Sequence, residues 1–341
     1  MEDAEADAGG TRGDGEAAMS TAVGNAPVRF AATRSQIRMA YSVCRSIARS
    51  SAKNFYYGFV VFPPRKRNAL AAVYAFMRRC DDITDDNTVS PEDRQNKLTD
   101  WLDKVHRALA GQPTDDPVLL ALTDAQRRYQ IPIGLLDQLA YGTAADLEQT
   151  QGVRHAQGQP DNGELQNDGA ALVARYKTFE DLQRYCYGVA SVVGLVCIKI
   201  FGYRDPEAEA LAERCGLAFQ LTNIIRDVKE DAEMGRVYLP EEDLLQFGLQ
   251  ASDLAAPEIS RIRPLLAREA DRARECYQSG EELIPLVSED SQPGLWVLIT
   301  IYRQLLEKIA ANDYDVFKGR IRLTVPEKLS VLSKGFVKRL F

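Results

Sequence analysis

The chain has only two histidines, and its six cysteines (Cys44, Cys80, Cys186, Cys197, Cys215, Cys276) include no CxxC pair. A structural zinc site needs Cys and His ligands at short spacings, so none is expected. The cysteines stand in mostly apolar helical contexts and read as buried, reduced thiols of a cytosolic protein. An excess of basic residues is also missing: the net charge of -7 argues against a nucleic-acid partner. No apolar run reads as the roughly 18 residues of a transmembrane helix. The first residues, Met1 to Asn25, have no basic n-region and no apolar h-region, so they do not read as a signal peptide. Their Gly, Ala, Asp and Glu content predicts a disordered acidic tail over residues 1–30, followed by a single domain over 31–341.

Strand-like alternation is scarce; Gly235–Leu239 is the best short candidate and reads as a loop. Helix signals dominate from Thr33 onward. Ser90 stands before Pro91 at the head of one helix, with Gly111 after its end. Thr178 with Asp181 opens another, ending near Gly202, and Asp205-Pro206 opens a long one running to about Glu233. Pro257, Pro293 and Pro326 each head a further helical pattern. The prediction is an all-α fold of roughly ten or more helices. Gln151 to Ala171, polar and rich in Gly, Gln and Asn, reads as a surface loop.

Two acidic clusters stand out on helical segments. In the first, Tyr74, Arg78, Asp81 and Asp85 are spaced four, three and four, which makes one stripe. In the second, Asn223, Asp227 and Asp231 share a face of the long helix, with Gln220 and Arg226 beside them. Two oxygen-rich faces turned toward each other would hold Mg²⁺, which prefers few carboxylates, retained waters and substrate phosphates. The blander readings are a solvated charged face for the first cluster and an ion-pair network through Arg226 and Lys229 for the second. Burying carboxylates among Leu221, Ile224, Ile225 and Val228 without partners would be costly, which favours metal there.

The segments Tyr74–Asp86, Tyr185–Ala190 and Gln220–Asp231, the last continuing through Gly235–Pro240, resemble the squalene/phytoene synthase family of head-to-head prenyl diphosphate synthases. The resemblance covers roughly Ile37 to Phe317. It implies an isoprenoid-synthase helical bundle around a central cavity. It implies several Mg²⁺ ions held by Asp81, Asp85, Asn223, Asp227 and Asp231. Phosphate contacts are implied for Arg78, Arg226 and Tyr74, and further for Lys53, Asn54, Gln220, Tyr302 and Arg320; guanidinium groups match phosphate geometry. Tyr74, Arg78, Tyr185 and Arg226 are the implied catalytic residues. Phe55, Phe59, Phe219, Tyr185 and Tyr302 would line the cavity with π faces toward an allylic cation, the bland reading being core packing. Family members often place His or Ser ahead of the Phe of the entry segment, whereas this chain has Ala52-Lys53-Asn54-Phe55.

The texture is most like that of bacterial presqualene diphosphate synthases of hopanoid biosynthesis. The bulky run Asn54–Phe59 favours a short cavity. The expected reaction is therefore condensation of two farnesyl diphosphates to presqualene diphosphate, or onward to squalene or dehydrosqualene, with release of diphosphate. The alternative is phytoene synthesis from two geranylgeranyl diphosphates. A head-to-tail synthase or cyclase would share the acidic motifs but not Tyr185–Ala190. A non-catalytic, prenyl-lipid-binding helical protein is a reading of another class, opposed by the intact ligand positions. No GxGxxG fingerprint follows a strand, which favours products needing no NADPH. The segment Lys318–Phe341 carries seven basic residues against Glu327, with an apolar face, and suggests peripheral contact with the inner membrane surface. The bland reading is a final helix packed on the bundle.

Overall fold

The computed structural model describes residues 32–51, 55–86, 88–156, 172–255 and 257–340, with backbone alone for 145–156 and Leu340. The expected acidic tail, and Lys53 and Asn54, lie outside the described residues. The predicted start signals are used. Ser90 Oγ accepts from the Asp93 N–H at 3.1 Å, and Thr178 with Asp181 makes a reciprocal capping box. A start not expected from the sequence is capped by Asp116, whose Oδ1 accepts from the Val118 N–H at 2.8 Å.

The first helices are α1 (Arg34–Ser51), α2 (Phe55–Val61) and α3 (Pro64–Thr84). Next come α4 (Pro91–Leu109), α5 (Pro117–Tyr129) and α6 (Ile133–Ala156). α7 (Phe179–Cys186) and α8 (Val192–Phe201) follow, then α9 (Glu207–Glu233), α10 (Glu241–Gln246) and α11 (Ile259–Leu283). The series closes with α12 (Gln292–Ala311) and α13 (Val325–Leu340). Among the described residues, β-pairing is limited to two isolated bridges, Ala174 with Val237 and Tyr203 with Val287. The loop expected from Gln151 starts later, because α6 continues through Ala156; residues 157–171 are not described.

Two features depart from expectation. α7 and α8 are one run, Phe179–Phe201, whose length and mean hydropathy of 1.5 would suit a membrane span. It is instead packed against α9, α6 and α3, with Val192, Val196, Ile198 and Ile200 buried. The run is also broken by a π turn, Tyr187–Ser191, where one extra residue enters the helical repeat. Glycines make room for that turn. Gly142 of α6 lies against the Gly188 backbone, and a Cβ on Gly216 of α9 would sit 2.7 Å from Ala190 O and 2.8 Å from Ser191 Cα. Ser191 Oγ donates to Glu213 O at 2.8 Å, tying the turn to α9.

α9 is the central helix and packs on α11, α8, α12, α7 and the π turn. α3 packs on α1, α5, α6, α4 and α8. α8 thus lies between the two helices that carry the acidic clusters. The described cysteines are all free, and five of the six are buried, as expected.

One buried ion cluster lies away from the acidic faces. Arg272 is shared by Asp243 (2.6 and 2.9 Å) and Glu269 (2.5 Å), and its guanidinium lies 4.0 Å from the Phe179 ring centroid. Glu269 Oε2 is buried with no hydrogen-bond partner. Burial pushes the Glu269 carboxyl up to about 7; Arg272 opposes this and Asp243 adds to it. The folded state therefore holds this proton more tightly than the unfolded chain. Its contribution to stability is present at acidic pH and is lost as pH rises toward 7. Glu269→Gln should flatten that slope: the variant gains on the parent in thermal midpoint between pH 5 and pH 8. Unfolding scans across that range check it, and a difference independent of pH would contradict the assignment.

Candidate active site

The first stripe is carried by the C-terminal half of α3. Buried Ala71, Ala72, Val73, Ala75 and Phe76 hold the helix in the core and turn Tyr74 and Arg78 to a half-buried face. The helix ends at Thr84, and the Asp85 N–H bonds Asp81 O at 2.8 Å, so Asp85 stays one turn beyond Asp81 as the spacing predicts. Burial, with the Asp85 charge next, pushes the Asp81 carboxyl up to about 6, while Arg78 opposes it. A group so placed is poised to take a cation, which would replace the lost hydration. Arg78 itself pairs with Asp82 at 2.5 Å. Asp82 was not among the expected site residues; its four-residue spacing from Arg78 was the signal for it.

The second face runs along α9. Asp227 is its hub: it accepts from Arg226 Nε at 2.7 Å and from Arg320 at 2.8 Å. Arg320 arrives from the irregular segment between α12 and α13, which places a distant residue on the predicted face. Asn223 Oδ1 is buried without a partner, and so is Glu230 Oε2. An orphaned buried oxygen is costly unless something fills the gap, so both point to a missing ligand. Glu230 was also not predicted; it adjoins Arg226, which feels its charge. Gln220 Oε1 lies 3.5 Å from Asn223 Nδ2. Asp231 closes the face, and its carbonyl accepts the Arg236 N–H at 2.8 Å, turning the chain back at the end of α9.

Tyr302 of α12 joins the two faces. It is 3% exposed, and burial pushes its hydroxyl up to about 12 against the opposing influence of Arg226 and a hydrogen bond from Asn223. Tyr74 of α3 and Asp227 of α9 also act on it electrostatically. Its ring stacks on Phe219 at 4.4 Å and lies 5.3 Å from Phe55, and Phe219 reaches Tyr277 at 6.0 Å. These rings form an aromatic wall directly beside the polar face. Phe59 is one turn after Phe55 on α2 and is buried. Tyr185 stands elsewhere. It clusters with Tyr176 and Tyr238, 5.3 Å from each, stacked on the second and tilted to the first. Among the described residues it makes no ring contact with the Phe219 wall.

The donor set fits a hard divalent cation: carboxylates and one amide oxygen, with no thiol or imidazole. Among the described residues, however, no three His, Cys, Asp or Glu side chains converge on one point. Asp227 is drawn to Arg226 and Arg320, and Asp82 to Arg78. The two faces are therefore half-sites, each partly engaged by arginines, and groups of both act on Tyr302. Mg²⁺ bound with waters and substrate phosphates needs only one or two carboxylates per ion, which suits half-sites.

The squalene/phytoene synthase profile matches residues 48–327, a stretch that contains both acidic faces, the Tyr185 motif and Arg320. The chain belongs to the squalene/phytoene synthase family. It is 36% identical over 330 residues to the 15-cis-phytoene synthase of Synechococcus elongatus, covering 92% of this chain and 97% of that one. It is 36% identical to the phytoene synthase of Mycobacterium tuberculosis over 302 residues, covering 87% and 90%. Among solved structures it resembles a dehydrosqualene synthase in complex with ligand (TM-score 0.73, 28% identity, covering 88% and 96%). It also resembles the squalene synthase HpnC of Alicyclobacillus acidocaldarius (TM-score 0.68, 28% identity, covering 83% and 97%). The helical bundle is that of the isoprenoid synthases, and the protein is a prenyltransferase that joins prenyl diphosphates head to head.

Proposed function

We propose that this family member condenses two geranylgeranyl diphosphates to phytoene with release of diphosphate. The observation that carries this reading is the run of relatives named phytoene synthase, 31–36% identical across nearly the whole chain. The farnesyl reading drawn from the bulky Asn54–Phe59 run becomes the second one. What favours it is the close ring packing of Phe55, Phe219 and Tyr302 beside the polar face, which shortens the space for a chain.

In either case the roles of the side chains follow from their placement. Asp81, Asp85, Asn223, Asp227 and Asp231, with Glu230, would hold Mg²⁺, which when bound supplies positive charge against a departing diphosphate. Arg78, Arg226 and Arg320 would bind phosphate oxygens once substrate competes for Asp82 and Asp227. As the allylic C1–O bond breaks, the carbocation lies against Phe55, Phe219 and Tyr302. The double bond of the second substrate attacks C1, and proton loss closes a cyclopropylcarbinyl diphosphate. Tyr302 holds its own proton at neutral pH, since burial lifts it to about 12. In this reading it orients and stabilises, and the diphosphate set free beside the cation is the proposed proton acceptor. Loss of the second diphosphate, opening of the ring with rearrangement and a second proton loss then give phytoene, so no NADPH is consumed.

The test is mass spectrometry of products from farnesyl and geranylgeranyl diphosphate offered separately with Mg²⁺, with and without NADPH. A forty-carbon hydrocarbon from geranylgeranyl diphosphate, formed faster than any thirty-carbon product from farnesyl diphosphate and unaffected by NADPH, is expected. Thirty-carbon products alone would replace this reading with the farnesyl one.

A further inference from the structure

α13 leaves four large apolar side chains outside, beside exposed Ser330, Ser333 and Lys334. Val325, Leu329 and Phe336 fall on one outward stripe at helical spacing, with Val337 on its flank, and all four are exposed (58%, 50%, 38% and 56%). The inner face needs none of them. Val331 is buried, and Gly335 lies so close to Val297 of α12 that a Cβ would overlap it. Lys328 lies over the Tyr57 ring and Lys338 over the Trp296 ring, at 5.3 and 5.1 Å, and Arg339 donates to Val61 O at 2.9 Å. The helix is therefore well seated on α2 and α12 without its outer apolar stripe. The helix is packed on the bundle, and packing consumes one face while leaving these side chains outside.

Charge selects what covers that face. Residues 318–341 carry seven Lys and Arg against Glu327, in a chain whose net charge is -7. Glu327 is itself bonded to Lys308 at 2.8 Å. Lys318, Arg322, Lys334 and Lys338 are exposed. An apolar stripe flanked by lysines on an otherwise acidic protein suits an interface that is apolar within and anionic at its rim. The same face of a second copy, packed against it about a two-fold axis, would set these lysines against lysines. We infer that α13 docks the protein on an anionic lipid bilayer through Val325, Leu329, Phe336 and Val337. α2 and α12, which carry Phe55 and Tyr302, then lie directly behind the docked helix.

The test uses the full chain with vesicles of phosphatidylcholine alone or with phosphatidylglycerol, read by co-sedimentation. Binding to the anionic vesicles, weakened by salt and much lower on neutral ones, is expected. Leu329→Ser/Phe336→Ser/Val337→Ser should lower partitioning at least about tenfold, since each fully buried side chain of this size is worth a factor of ten or more. Lys334→Glu should lower it about fivefold or more. Turnover of both variants in detergent solution should match the parent, showing that the fold is kept. Absence of vesicle binding by the parent, or equal binding by the triple variant, would overturn the inference. So would a concentration-dependent dimer in sedimentation velocity that the triple variant loses, because a second copy would then be the occupant.

Discussion

Asp227→Asn should cut turnover at least about a hundredfold, the scale seen when a metal site loses a well-set ligand or its support. The reason is that Asp227 is where three demands meet. It lies on the α9 face with Asn223 and Asp231, it accepts from Arg226 and Arg320, and its charge reaches the Tyr302 hydroxyl. The amide keeps an acceptor oxygen for one guanidinium but loses the charge that a divalent cation needs. It also leaves Arg226, a side chain only 12% exposed, without its counter-charge. The stability cost should be about 1–3 kcal/mol, that of weakening hydrogen bonds to a charged group. The two effects separate by measurement. Diphosphate release at saturating substrate should collapse while the circular dichroism spectrum is unchanged and the thermal midpoint falls by only a few degrees. Rising Mg²⁺ should restore part of the activity if the loss is in metal affinity. Turnover near the parent level would mean that Asp227 only organises arginines and that the α9 face does not carry the cation.

The second large effect is expected at a residue with no chemistry. Gly216→Ala should destabilise the fold by about 3 kcal/mol, the upper part of the range for overpacking. The added Cβ would meet Ala190 O at 2.7 Å and Ser191 Cα at 2.8 Å. Both are backbone atoms of the π turn and cannot rotate away. Relief requires α9 to move from the turn, which would stretch the Ser191–Glu213 bond and shift Asn223, two turns along the same helix. Stability in urea should therefore fall, and turnover should fall with it. A contrasting change at Gly235, whose Cβ would meet nothing but whose φ is +72°, should cost only its local backbone strain. If Gly216→Ala unfolds at the parent's denaturant midpoint, the close approach of α9 and the turn is wrong.

Much of the site was legible because its chemistry is local. Asp81 with Asp85, and Asn223 with Asp227 and Asp231, lie four residues apart, and a helix puts such pairs on one face whatever it packs against. The helix starts at Pro91 and Phe179 were legible for the same reason, since Ser90 and Thr178 cap the chain that directly follows them. The membrane-length run Phe179–Phe201 was readable as core only through its neighbours, because length and hydropathy do not distinguish burial in protein from burial in lipid.

Other features are facts of three dimensions. The Arg320–Asp227 bond joins residues 93 apart in sequence, and the Phe55–Tyr302 contact joins α2 to α12, so no periodicity could have reported either. The π turn depends on Gly142 and Gly216, which lie on two other helices and leave space only after these have packed. How the acidic side chains are engaged was also settled in the folded chain: Asp82 holds Arg78, and Asp227 holds Arg226 and Arg320. α13 shows the same division. Its apolar and basic residues are plain in the sequence, but which apolar ones stay outside was settled by Gly335 against Val297, which turned the other face inward. Periodicity assigns residues to faces, and packing assigns faces to core, site or solvent, because burial is a property of the neighbours a residue meets rather than of the residue itself.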